Sequence, residues 1–186
     1  MGDTRRISEG LNLMYVGNII AIVAALCTLL ALLAPFLAIL IAIAVLVGGV
    51  VCLVGLVKLR NEHEDYMSAL MACIFGIVLG LLSNNESVFG SMMSLARSIC
   101  NLLQVYFVVR GTNSFLRGQG CLTEVSMGDQ AWKWELISIV VSVAAAVLAL
   151  VLLPLGVILA VVNIVVSIVA LVFYLSYLKA GATALG

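Results

Sequence analysis

The residues best suited to chemistry in this chain sit inside an apolar stretch. Ser94, Arg97, Asn101 and Gln104 punctuate SVFGSMMSLARSICNLLQVYFVVR at separations of three, four and three residues. That spacing places all four along one face of a helix. A guanidinium at mid-membrane costs ~2.5–3.5 kcal/mol on insertion scales, so it needs a partner or a route to water. Three environments meet that need. Arg97 can snorkel toward outer phosphates or Glu86, or bond carbonyls and polar groups of neighbouring helices. It can also line a water-accessible cavity and hold an anion, with Asn101 and Gln104 orienting the ligand. Only the last predicts ligand chemistry, and it makes Arg97, Asn101, Gln104, Ser94 and Asn163 the candidate binding residues.

Asn163 belongs to a milder stripe of Gly156, Ala160, Asn163, Ser167, Ala170, Tyr174 and Tyr177. Such a stripe reads as a packing seam in which Asn163 bonds across helices, with Asn18 as its partner, or as a second wall of a shared polar cavity. Other chemistries have weaker footing. The segment NEHED carries the only histidine, His63, between Glu62 and Glu64, and consecutive residues point in different directions. It reads as a solvated turn that caps the following helix rather than as a metal site. Cys27, Cys52, Cys73, Cys100 and Cys121 are irregularly spaced and read as small packing residues. With no intramembrane Ser paired with His or Lys, no paired intramembrane Asp and no Gly-rich phosphate loop, an enzyme is the least favoured class. No cofactor and no metal are expected.

The elements that must position these residues follow from composition. Of 186 residues, 65% are apolar and 10% are charged, too few charges for the surface of a soluble domain. Nine basic and nine acidic residues cancel, so no basic field for nucleic acid is implied. From Leu13 to Val57 there is no charge, with Pro35 near the middle, and from Leu136 to Leu178 there is none, with Pro154 inside. About 20 residues cross a hydrocarbon core, so each run holds two crossings with a turn at its proline. Two weaker spans lie between. The expectation is an all-α, polytopic membrane protein whose single domain covers 1–186. Its six transmembrane helices, at about 13–33, 36–57, 67–83, 87–109, 136–153 and 155–178, form three hairpins.

Under six spans, Arg5, Arg6, Lys58, Arg60, Arg110, Arg117, Lys133 and Lys179 fall on one side, and the turns near Pro35, Glu86 and Pro154 hold no basic residue. The positive-inside rule then puts both termini in the cytoplasm, of a plasma or bacterial inner membrane. Tyr15, Tyr66, Tyr106, Trp132, Trp134, Tyr174 and Tyr177 cluster near the same side and read as an interfacial belt. Gly76 and Gly80 with Ala72 and Ala69 form a ridge for close helix contact, as do Gly48 with Gly55; such ridges serve packing within the chain or a homo-oligomer. The segment 111–133, rich in glycine with scattered apolar residues, reads as a cytoplasmic loop lying on the membrane or docking a protein partner. Asn85-Glu86-Ser87 matches a glycosylation sequon too near the bilayer to serve as an acceptor. Two functions follow: transport or permeation of a small anionic or polar solute past Arg97, or a non-catalytic scaffold or accessory subunit that recruits a partner through 111–133.

Overall fold

The computed structural model describes residues 3–31, 37–82, 88–151 and 153–186. Among them run six α-helices: α1 Thr4–Ala31, α2 Leu37–Leu59, α3 Glu64–Leu82, α4 Val88–Gly118, α5 Leu122–Val151 and α6 Leu153–Leu185. Five are long and apolar enough to cross a membrane. The exception is α5, whose first half carries Glu124, Asp129, Lys133 and Glu135. This is an all-helical architecture of the multi-pass, membrane-embedded kind. Each helix packs on a chain neighbour, α1 on α2, α3 on α4 and α5 on α6, and the set is joined by α1 on α6, α4 on α5 and α2 on α3.

Glycine decides how closely α1 and α2 approach. A Cβ on Gly17 would lie 2.6 Å from the Gly48 carbonyl oxygen, and one on Gly55 would lie 2.7 Å from that of Gly10. Gly10 and Gly17 on α1 thus answer Gly48 and Gly55 on α2 with the same seven-residue spacing, and any side chain there would force the backbones apart. The ridge on α3 faces α4. Gly76 lies against Cys100 and Gly80 against the Arg97 guanidinium, while Ala72 is buried.

The segment 111–133 is not a loop. Its first part completes α4, the chain turns over 119–121 with Gly120 at φ 78°, and its remainder opens α5. The Cys121 amide donates to the Leu116 carbonyl at 2.9 Å, closing the end of α4. Of the apolar residues read as membrane-surface anchors, Leu116 and Val125 are buried, Phe115 and Trp132 pack against the core, and Leu122 stays exposed. Two of its glycines serve contact: a Cβ on Gly111 would meet the Tyr66 ring at 3.3 Å, and one on Gly128 the Tyr177 ring at 2.7 Å.

Helix α1 also starts well before residue 13, because Ile7, Leu11 and Met14 form one buried face. At the other end of the chain, α6 continues to Leu185. Pro154 lies in the first turn of α6 rather than between two helices, a position where its missing N–H removes no helical bond. Pro35, Glu86 and the 85–87 sequon lie outside the described residues.

The expected aromatic belt is partly core. Tyr66 and Tyr177 are fully buried and Tyr174 nearly so. Tyr66 shares a 2.9 Å hydrogen bond with the Thr112 hydroxyl, and Tyr177 donates to Asn113 Oδ1 at 2.9 Å and to the Val109 carbonyl at 3.2 Å. A buried phenol with a partner inside the bundle has no need of the interface.

Candidate functional site: a central polar cavity

All six helices line one cavity of about 400 Å³. The α4 face brings Arg97, Asn101 and Gln104 into it together, at the three- and four-residue spacing read from the sequence. Asn18 enters from α1, Cys52 from α2, Cys73 from α3, Glu135 from α5 and Tyr174 from α6. Close approach of α1 and α2 at Gly17 and Gly48 forms one wall. Arg97 lies flat against α3, where a Cβ on Gly80 would stand 3.1 Å from its Nη1. The ridge that packs α3 on α4 is therefore also what makes room for the guanidinium.

Three features give this cavity chemical character. Arg97 and Glu135 put opposite charges into the same space, yet they form no ion pair with each other. Glu135 is half-buried there. The Tyr174 hydroxyl is buried and, among the described residues, has no hydrogen-bond partner, although an unpaired buried hydroxyl ordinarily costs 1–3 kcal/mol or so. Asn18 is held in place, its amide donating to the Met14 carbonyl at 2.8 Å and to Cys52 Sγ at 3.8 Å.

A second cavity, about 340 Å³, opens between α4, α5 and α6 and shares Asn101 and Glu135 with the first. Hydroxyls dominate it: Ser94 and Ser98 from α4, Ser138 and Ser142 from α5, and Ser167 from α6. Ser138 and Ser167 are hydrogen bonded at 2.8 Å across α5 and α6, and Asn163 Oδ1 is buried without a partner among the described residues. The four-residue stripe on α4 therefore divides. Arg97 and Gln104 face the centre, Ser94 faces the serine-lined cavity, and Asn101 serves both.

Comparison with protein-family models, curated proteins and solved structures finds no match. The chemistry of the site is therefore argued from its own residues.

Asn163 does not meet Asn18. Ser8 donates to the Ala182 carbonyl at 2.6 Å, which fixes the antiparallel register of α1 and α6. Ten residues along α1 from there is ten back along α6, near Val172; Asn163 stands nine residues further, roughly 13 Å away at 1.5 Å per residue. One contributor, Glu135, goes unread in the sequence, and two others are read there with other partners. Glu135 sits one residue before an uncharged run and falls between the expected loop at 111–133 and the span from 136, whereas α5 runs through it without a break. For Asn18 the expected helix is right and the register wrong, since Leu171 and Tyr174 of α6 share its cavity. Tyr174 reads in the sequence both as interfacial and as part of the α6 stripe that walls a shared cavity.

At the end where the termini gather, a third cavity of about 440 Å³ is lined by His63, Asp65, Arg110, Asn113, Arg117, Asp129 and Trp132. His63 caps α3, its Nδ1 accepting from the Asp65 amide at 3.2 Å. Arg110 pairs with the buried Asp65 at 3.4 Å, and Asn113 donates to Asp129 at 3.2 Å.

Proposed function

We propose that the chain crosses the membrane six times with both ends in the cytoplasm, and that its central cavity binds a small polar or anionic solute for transport or permeation. The observation that carries this reading is the convergence of Arg97, Asn101 and Gln104 with Asn18, Glu135 and Tyr174 on one cavity reached by every helix. A polar centre inside helices whose outward faces are apolar is costly to build, and intramembrane ionisable residues mark solute pathways by default. The serine-lined cavity beyond Asn101 and Glu135 supplies a polar continuation between α4, α5 and α6. The orientation rests on the basic residues other than Arg97, which gather at one end and are tied there by pairs such as Lys58 with Glu9 at 2.7 Å. No catalytic step is part of this reading.

The test is Arg97→Gln in purified protein and proteoliposomes. The variant is expected to insert normally while losing the thermal stabilisation or flux that small carboxylates confer on the parent. Unchanged uptake in Arg97→Gln would end the transport reading.

A scaffold reading draws on a different feature, the mixed-charge groove of His63, Arg110, Arg117 and Asp129 at the paired ends of α4 and α5. It replaces the flexible docking loop with a preformed helical surface. Arg117→Ala together with Asp129→Ala is expected to release a bound partner if that groove recruits one, and to change no association otherwise.

A further inference from the structure

From the central cavity we infer a substrate class: an extended zwitterion, a molecule with a carboxylate at one end and an ammonium group several bonds away at the other. The inference rests on the reading of that cavity as a solute site. Its basis is the pair of opposite charges that share the space without touching. Arg97 is exposed and Glu135 half-buried in that cavity, so solvent weakens their attraction, yet opposite charges in one cavity would still close on one another if the helices allowed it. The backbone keeps them apart.

The turn at 119–121 sets α4 and α5 antiparallel. Glu135 lies thirteen residues past the start of α5 and is level with Val105, thirteen before the end of α4. Arg97 is eight residues beyond Val105, roughly 12 Å along the axis. Side-chain direction does not shorten this gap, because Cβ atoms tilt toward the helix N-terminus, which for these two helices means away from each other. Allowing one contact of about 3 Å at each end leaves roughly 6 Å between the charges of a bound molecule. An α-amino acid, with both charged groups on one carbon, is too short to reach both. A chain with four or five carbons between nitrogen and carboxylate, or a dipeptide, spans it.

The middle of the cavity suits such a ligand. Asn101 and Gln104 stand between the two charges on α4, and the unpartnered Tyr174 hydroxyl offers a buried donor. A dipeptide would use these on its amide; a plain methylene chain would lie against Cys52, Cys73 and Leu171.

Binding of 5-aminopentanoate, pentanoate, pentylamine and alanine to the full-length protein in detergent or nanodiscs tests this directly. The expected result is that 5-aminopentanoate binds about tenfold or more tighter than the other three, the loss for each single charge-assisted contact. Glu135→Gln should erase its advantage over pentanoate and leave pentanoate itself unaffected, whereas Arg97→Gln should weaken both. Pentanoate binding as tightly as 5-aminopentanoate, with Glu135→Gln silent, would overturn the zwitterion and leave the anion site at Arg97 standing. Alanine binding as well as 5-aminopentanoate would overturn the spacing. No response to any of the four in the parent protein would overturn the inference, and the separate Arg97→Gln flux measurement would then decide the fate of the cavity reading. The parent-protein panel needs no variant to fold.

Discussion

The two ends of this bundle are built by opposite rules. At the end that holds the termini, Ile7, Leu11, Leu56, Leu59, Val108, Leu116 and Leu178 are buried beneath a surface of charges, as in a water-soluble protein. Toward the other end the large apolar side chains turn outward. Ile39 is 68% exposed, Leu46 66% and Ile164 61%, an arrangement stable only in a solvent as apolar as they are. The same six helices pass from one regime to the other, and the central cavity lies where they change. In water, burial of apolar area holds helices together; in lipid that force is absent, and close packing at small residues and internal polar contacts must replace it.

Substitutions at matched positions expose the difference. The largest effect is expected at Tyr177, where Tyr177→Ala removes a fully buried ring and leaves Asn113 without its donor. Loss of about 3–5 kcal/mol is expected in unfolding experiments in mild detergent. Ile164→Ala, which deletes an outward-facing side chain, should shift the same curve by less than about 1 kcal/mol. Equal losses at the two positions would mean that the outward half has a buried core after all.

Next in size is the glycine contact. Gly17→Ala drives a methyl to within 2.6 Å of the Gly48 carbonyl and should cost about 1–3 kcal/mol. Gly49→Ala, at a position with open space around it, should be neutral or gain up to about 1 kcal/mol from helix propensity. A thermal-melt series that ranked them in the reverse order would show that α1 and α2 do not meet where the glycines indicate.

The smallest effect concerns pH. Glu135 is half-buried and forms no salt bridge among the described residues, so its charge is held in the empty protein at a cost that protonation removes. Glu135→Gln should therefore melt slightly above the parent at neutral pH, with the gain vanishing in acid. A variant less stable than the parent at neutral pH would mean that the carboxylate is favourably paired in the empty protein.

Much of the fold was legible because hydropathy and charge report directly on the solvent. The two long uncharged runs gave α1, α2 and α6 as apolar helices, and the i, i+4 and i, i+7 spacing of Arg97, Asn101 and Gln104 foretold their common face. The misreadings share one physical cause, that the charged end is organised by water-soluble rules while the sequence was interpreted by membrane rules. Glycine at 111, 118 and 128 signals a loop when counted by composition. Two of those glycines instead let aromatic rings approach the backbone, and that role depends on Tyr66 and Tyr177, far away in the chain. Glu135 was missed likewise, because its charge marked the membrane boundary while its helix carried it to the cavity. Which residues Asn18 and Asn163 would meet depended on a register that only tertiary contacts such as Ser8 with Ala182 define.

The most direct test of a polar centre within an apolar exterior is labelling of single cysteines along α4 with a small, membrane-impermeant thiol reagent, in a background with the five native cysteines replaced. Cysteines at 97, 101 and 104, which line the central cavity, are expected to react, while those at 99 and 103, exposed apolar positions outside both polar cavities, stay unlabelled in intact membranes. Labelling that ignored this helical periodicity, or that favoured 99 and 103, would contradict the account.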